Sequence, residues 1–369
     1  MLYSTPHLDA ALEQDLTAFD RLADELGARA RGAGPWLGSL RRQWRASSAE
    51  SSIEIEGYSV PAHERVAIAS GAEPADPNDE DRMALSCYAR AMDHVGVMAA
   101  DEGFEWVERA VLDLHFDACY FQKDKDPGQY RKSGIEVTDP KGGPAYVGPP
   151  GENVRPLMAE VIRWCRSEDL GGHVIVRAAM AHLHVVSVHP FRDGNGRISR
   201  IVQSLVLALG GLLAPEFVSI EEYLGEHTDP YYSALSEVQE GAYQPQRDAT
   251  PFVRLCVVAH LAQARRRLLQ IEQAAARWSF LERLVEERRW PDRLTIALEQ
   301  SLFDGTDRAS YSAEADVSAA TASNDLRRLL DAGLITQLGR GPRTRYVGSE
   351  RLSDDVGRQL AGNGPTREG

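Results

Sequence analysis

His189–Arg200 reads H-P-F-R-D-G-N-G-R-I-S-R. An apolar run, Val174–Val188, leads into it, and a second, Ile201–Leu213, leads out. Both runs have helix-compatible spacing and no proline. The spacing predicts a short loop between two buried helices, the second beginning near Gly196 or Arg197. Gly194, Asn195 and Gly196 tolerate unusual backbone angles. They let successive N–H groups converge, and the following helix adds its own unpaired amides. Such a nest binds anions, typically phosphate.

The side chains around the nest extend that chemistry. Arg197 and Arg200 are spaced i, i+3 on one helix face, and their forks suit phosphate oxygens. Ile198 and Ser199 lie between them and are counted with the phosphate-binding turn. Asp193 is the one acid in a positive pocket, suited to a divalent cation such as Mg²⁺ that bridges phosphates. His189 can accept a proton from an attacking hydroxyl near neutral pH. Pro190 and Phe191 are expected to fix the loop, with Phe191 in the core, and Arg192 has no assigned role. The constellation points to phosphoryl or nucleotidyl transfer to a hydroxyl, driven by positioning and charge neutralisation. The bland alternative is a polar loop with a helix-capping aspartate.

The same string resembles the Fic-domain signature, H-x-F-x-(D/E)-G-N-G-R-x-x-R, at every fixed position. The resemblance implies a mainly α fold with a Fic helical core, acting as a protein adenylyltransferase that moves AMP from ATP to a Ser, Thr or Tyr hydroxyl. It implies His189 as general base, Asp193 as Mg²⁺ ligand, Gly194, Asn195, Gly196 and Arg197 as the phosphate nest, and Arg200 as the contact to the terminal phosphate. Upstream, Ser52-x-x-x-Glu56-Gly57 is similar to the family's inhibitory pattern, (S/T)-x-x-x-E-(G/N). Glu56 is then expected to pair with Arg200 and put a carboxylate where phosphate should sit. Gly134–Thr138 and Ala145–Val147, about a Pro-Lys-Gly-Gly turn, read as a hairpin. It resembles the Fic flap, which covers ATP and aligns an extended target by strand addition. Ile135, Val137 and Thr138 are its expected contacts. By the same similarity Tyr231, Tyr232 and Gln239 are neighbours of adenine and ribose. Gln239 departs from the Asn of some relatives.

Composition bounds these readings. A formal net charge of −14 disfavours bulk attraction to nucleic acid or anionic lipid. ATP binding would depend on the local field of Arg197 and Arg200. No apolar run reaches membrane-spanning length, and Met1–Ala10 lacks a secretory signal pattern, so a cytoplasmic protein is expected. Cys87, Cys119, Cys165 and Cys256 have no C-x-x-C spacing and read as buried free thiols. His182 and His184, at i and i+2, face different ways and read as structural, as does His115.

The periodicity also divides the chain. Residues 1–80 read as an N-terminal helical region carrying the inhibitory motif, with helices over Leu8–Leu26, Trp36–Trp44 and, separately, Ser47–Gly57. Residues 81–260 read as the Fic core, with helices at Arg82–Ala99, Phe104–Tyr120 and Asn153–Ser167, Pro156 falling in the first turn of the last. Residues 261–290 are expected to be a helical connector, 291–350 a winged helix-turn-helix domain, and 351–369 a flexible tail. In the winged module Arg327, Arg328, Arg340, Arg343 and Arg345 give a basic side, offset by Asp316, Asp325 and Asp331. DNA and protein are equally suited partners for it.

Three functions compete. The first is the adenylyltransferase held in check by Glu56. The second is a de-AMPylase or other nucleotide or phosphate transferase. The third is a nucleotide-sensing DNA-binding regulator. An intact His189 and Asp193 favour an enzyme, since a sensor needs neither. A target protein bearing a hydroxyl is the expected partner, no membrane is expected, and a homodimer is left open.

Overall fold

The computed structural model describes residues 1–138, 143–167, 172–212, 219–303, 305–339, 341 and 344–362. The chain divides into two compact units. One comprises Met1–Leu26 and Arg42–Arg266, and the other Gly27–Arg41 and Arg267–Gly369. The elements in chain order are α1 (Ala10–Arg31), α2 (Trp36–Glu54), α3 (Ala62–Ala69), α4 (Glu80–Ala100), α5 (Glu108–Cys119), β1 (Glu136–Thr138), β2 (Pro144–Val147), α6 (Gly151–Arg166), α7 (Val174–Val188) and α8 (Asn195–Leu209). They continue as α9 (Glu221–Glu226), α10 (Thr228–Gln239), α11 (Thr250–Glu287), α12 (Leu294–Leu302), α13 (Arg308–Glu314), α14 (Ala319–Asp331), β3 (Ile335–Leu338), β4 (Arg345–Gly348) and α15 (Glu350–Gly362). The fold is mainly α with two small antiparallel hairpins. Among the described residues no helix is long and apolar enough to cross a membrane.

In the first unit α7 is the central rod. Every residue from Ala178 to Val188 is buried, which fits a helix apolar on all sides. It packs on α8 and α6, and α4 packs on both α8 and α5. The flap hairpin pairs Glu136 with Val147 and Val137 with Tyr146, and shifts register before Thr138 pairs with Pro144. The free cysteines are all buried.

The helices depart from the sequence expectations where packing outweighs local signals. α1 runs through Gly27 to Arg31. α2 is one helix through Ser47, with no separate start there. Trp44, Ala46, Ala49 and Ile53 keep a buried stripe across the serines, whose weak helix preference is overridden. The helix then ends in a turn with Gly57 at φ +91°. α3 had no counterpart in the periodicity reading. Pro156 sits in the second turn of α6, not the first. α8 starts one residue before the expected Gly196. Leu213 of the second apolar run and most of the flap turn lie outside the described residues.

The second unit has its own core. Leu281, Leu294, Leu298, Tyr311, Leu326 and Leu329 meet there. Ser318 Oγ accepts from Thr321 N–H to start α14, as its sequence position suggests. The expected flexible tail is corrected in part: α15 runs to Gly362, and its Leu352 and Val356 join this core. The expected charge balance is corrected at Asp325. It is buried and accepts from Arg293 Nε at 2.7 Å and from the Tyr311 hydroxyl at 3.0 Å, so it is not a surface acid. Arg327 and Arg328 are exposed, while Arg340 and Arg343 lie outside the described residues.

Candidate active site

The motif loop begins where α7 is made to stop. His189 adopts the left-handed region at φ +49°, and Pro190 supplies no amide to continue the helix. A non-glycine residue there is strained, and such strain gathers at functional sites. The His189 ring Nδ1 lies 3.1 Å from the Val186 carbonyl. That contact requires Nδ1 to carry the hydrogen, leaving Nε2 as the acceptor. Burial pushes the His189 pKa down to about 4, so the imidazole is neutral at physiological pH.

Asn195 staples the loop. Its Oδ1 accepts from Phe191 N–H and its Nδ2 donates to the Phe191 carbonyl, both at 2.9 Å. Phe191 is fully buried and stacks on His115, ring centroids 3.5 Å apart. His115 Nδ1 accepts from Gly128 N–H at 2.9 Å, so its Nε2 donates to the Asp193 carbonyl at 3.0 Å. His115 is thus a satisfied structural histidine. Gly194 caps α8 at φ +73°, and a Cβ there would stand 2.3 Å from Cys119 Sγ. Both backbone and space therefore demand glycine.

The first turn of α8 carries the charge. Arg197 is fully buried and donates to Gln122 Oε1 at 2.8 Å and to the Ala118 carbonyl at 3.3 Å. Its guanidinium lies over the rings of Tyr58 and Phe121. Arg200 donates from Nε to Ser52 Oγ at 2.8 Å, and from Nη2 to the Ser52 carbonyl at 2.9 Å and Glu56 Oε1 at 2.8 Å. Burial opposes the Arg200 charge, but the Glu56 carboxylate outweighs it and holds the guanidinium firmly protonated. Burial likewise opposes the Glu56 charge, and Arg200 with Arg197 keeps its pKa below the ordinary value. A Cβ on Gly196 would stand 2.2 Å from Glu56 Oε1. The carboxylate therefore rests directly on the amino terminus of α8. Arg197 Nε and Arg200 Nη1 are buried without a hydrogen-bond partner. Unpaired buried donors are costly unless a ligand completes them.

Asp193 sits at the rim, 38% exposed at its side chain. Its Oδ1 accepts from Gly194 N–H at 2.5 Å and lies 3.4 Å from Arg197 Nη2, while Oδ2 accepts from Gln122 Nε2 at 3.0 Å. One exposed carboxylate beside an anion nest fits Mg²⁺, which takes one or two carboxylates and draws its other ligands from phosphate and water. Among the described residues no cluster of three or more ligating side chains could cage a metal without a phosphate ligand.

The remaining predicted positions divide. Ile198 is fully buried in the core, and Ser199 Oγ donates to the Asn195 carbonyl at 2.6 Å, so neither side chain faces the nest. Tyr231 is buried with its hydroxyl 3.1 Å from His182 Nε2, and Gln239 donates to Ser187 Oγ at 2.9 Å. Both serve α7 directly. Tyr232 is 48% exposed, with its hydroxyl 3.4 Å from the Ile55 carbonyl, one residue from Glu56. Ile135 and Val137 are half-buried and Thr138 is exposed. Ile135 accepts from Gly148 N–H, whose Cα stands near the His189 side chain. Arg192 pairs with Asp126 on the surface.

Sequence reasoning missed two residues that hold this arrangement. Arg131 is buried and donates to the carbonyls of His189 (2.7 Å), Ser133 (2.6 Å) and Pro149 (2.8 Å). It ties His189 to the chain on both sides of the β1–β2 hairpin. Gln122 joins Arg197, Asp193 and Tyr58 through one amide. Neither lies in a periodic or motif context, so their only signal is the contact itself.

Residues 106–207 match the Fic/DOC family model. A probable protein adenylyltransferase of Aquifex aeolicus is 34% identical over 116 residues, covering 31% of this chain and 32% of the relative. The protein adenylyltransferase Fic of Aedes aegypti is 28% identical over 206 residues, 55% and 38% of the two chains. The chain thus spans about a third of the length of the curated relatives it matches. A crystal structure of a Fic family protein from Desulfovibrio desulfuricans G20 aligns over 94% of this chain and 98% of its own, with a TM-score of 0.59 at 20% identity. That likeness shows the fold.

Proposed function

From the premise that this chain carries a Fic domain, we propose that it is a protein adenylyltransferase. It moves AMP from ATP to a Ser, Thr or Tyr hydroxyl of a target protein. One observation carries the reading: Arg197 Nε and Arg200 Nη1, in the first two turns of α8, are buried unpaired donors, one loop away from a neutral histidine. That is a seat for a polyphosphate next to a base.

In this reading the acceptor hydroxyl gives its proton to His189 Nε2. Its oxygen bonds to the α-phosphorus, and the bond from that phosphorus to the bridging oxygen breaks, releasing pyrophosphate. Asn195, Gly196 and Arg197 form the first turn of α8 and would turn their backbone amides to the phosphates. Gly194 supplies the left-handed cap, its N–H held by Asp193 Oδ1, while Ile198 N–H is taken by the Gly194 carbonyl, so Ile198 and Ser199 support the turn without offering it a donor. Arg197 and Arg200 neutralise the charge. Asp193 would hold Mg²⁺, which when bound would screen phosphate charge. The free edge of β1, with Ile135, Val137 and Thr138, suits an extended target segment. Tyr231, Tyr232 and Gln239 form the adenosine side, of which Tyr232 alone offers an exposed face. Glu56 is the inhibitor, since its carboxylate competes with phosphate for Arg200 and the α8 terminus.

A second reading, removal of AMP from a modified protein by water, draws on the same Glu56 carboxylate, which stands where it could orient a nucleophile. The 291–350 module is read as a winged helix that docks DNA or protein. The test is incubation with ATP labelled at the α-phosphate, followed by mass spectrometry. Glu56→Gly should label itself or a partner more strongly than the parent, and His189→Ala on that background should label nothing. Equal labelling with and without His189 would remove the assignment of the base.

A further inference from the structure

A cavity of about 240 Å³ lies between α2, α4 and α8 in the first unit. Trp44 and Ala49 of α2 form one wall, Ala89, Met92 and Val95 of α4 the other, and Ala208 of α8 closes one end. Four polar side chains, Arg45, Ser48, Asp93 and Ser219, break this apolar lining. Arg45 pairs through Nη2 with Asp93, and Ser48 is taken by Glu221, which leaves two polar atoms unanswered. Ser219 Oγ belongs to a side chain only 7% exposed and has no hydrogen-bond partner, and Arg45 Nε is buried and equally unpaired. Buried polar atoms without partners are the exception in folded proteins and ask for an explanation. A lined apolar cavity with a few convergent polar atoms has the make-up of a small-molecule site, here at the small end of the usual range.

We infer that this cavity binds a small, mainly apolar molecule of fragment size carrying one hydrogen-bonding oxygen, and that the ligand holds α2 in its inhibitory position. The apolar body fills the space between Trp44 and Met92, and the oxygen answers Ser219 Oγ and Arg45 Nε. The coupling follows from the wall. Ser48 also lines the cavity and donates to the buried Glu221 carboxylate at 3.1 Å. One turn later Ser52 engages Arg200, and one turn after that comes Glu56. The cavity has this shape only while α2 is docked, so a ligand that fits it favours the docked state by its differential affinity. The coupling rests on the inhibitory reading of Glu56, whereas the binding does not.

The probe is 2-phenylethanol, with propylbenzene as the isostere lacking the oxygen. The full chain, labelled at its methionine methyls, is titrated by NMR. The Met92 methyl should shift saturably, with a Kd on the order of 1 mM for a ligand of this size. Gly96 also lines the cavity, and a Cβ there meets nothing within 4 Å, so Gly96→Leu should fill the space, keep the fold and abolish the shift. Ser219→Ala should weaken 2-phenylethanol about fivefold and leave propylbenzene unchanged. No saturable Met92 shift overturns the site, as does a shift that survives Gly96→Leu. Residual self-labelling by the parent should fall as 2-phenylethanol saturates, and Gly96→Leu should be indifferent to it. If binding occurs with no such fall, the coupling is overturned. A Glu56→Gly protein no more active than its parent would instead overturn the inhibitory reading, with the binding titration unaffected.

Discussion

Glu56 Oε1 accepts from Arg200 Nη2 at 2.8 Å, and the same oxygen lies against the α-carbon of Gly196. One carboxylate thus occupies the guanidinium and the helix terminus together. Arg200 is 1% exposed at its side chain and Glu56 22%, so solvent screens the pair only in part. Replacing Glu56 with glycine frees both anion seats. AMP transfer should rise at least tenfold, roughly 1.4 kcal/mol of released inhibition. Glu56→Gln keeps the shape and loses the charge, so it should fall between. Labelling rates of the three proteins decide it, and equal rates would refute the electrostatic account.

Ser52 prepares Arg200 for that contact. Its Oγ accepts from Arg200 Nε and its carbonyl from Nη2. Ser52→Ala removes one hydrogen bond to a charged group, worth about 1.5–3 kcal/mol. The prediction is a lower melting temperature and partial release of inhibition, smaller than that of Glu56→Gly. A melting temperature equal to the parent's would show that the bond contributes nothing.

His189 is held neutral by burial, with a pKa pushed down to about 4. A base active in its neutral form should therefore work fully at pH 6 and above. In the Glu56→Gly protein the acid limb of kcat/KM should fall only below about pH 5, since losing the nearby carboxylate lowers the His189 pKa further. A limb centred near 6.5 would mean an imidazole far more solvated than the one in this loop.

Arg131 holds the backbone of His189 and the start of the flap through carbonyl oxygens, with no carboxylate among its partners. Arg131→Ala leaves several carbonyls unpaired and should destabilise the first unit by about 2–4 kcal/mol. Arg131→Lys keeps the charge but cannot span three carbonyls. It should lower kcat more than it raises KM for ATP, because the nest itself is untouched. A Lys variant with parental kcat would show that the span is dispensable.

The legible part of this molecule was local. The His189–Arg200 motif marked the loop between α7 and α8, because Gly194, Asn195, Gly196, Asp193, Arg197 and Arg200 answer backbone or charge requirements within twelve positions. The flap was legible as alternation interrupted by a turn. Gly57 marked the end of α2, yet the serines before it misled, since their role is to reach Glu221 and Arg200 across the fold. The same holds for Asn195. Its amide closes the loop on Phe191, whereas the motif alone suggested only a backbone place in the nest. Arg131, Gln122 and Asp325 act through partners distant in sequence, and no period or spacing announces such contacts.

The buried histidines make a final demand, on stability. His182, His184 and His260 are fully buried, and burial pushes each pKa down to about 3. His115 and His189 are pushed to about 4. In the unfolded chain each returns to about 6.5. For a depressed group the stabilisation is present above the unfolded pKa and lost as pH falls towards the folded one. Between pH 6.5 and 4 the unfolded state binds more protons at all of these sites, so stability must drop with acidity. His184 is the sharpest case, since neither ring nitrogen has a hydrogen-bond partner to share an added proton. Thermal melts should show a falling midpoint from pH 6.5 downward. His184→Phe, close in shape beside Trp164, should flatten that slope while leaving the melt at pH 8 nearly unchanged. A variant with the parental slope would mean that this imidazole takes up its proton without unfolding.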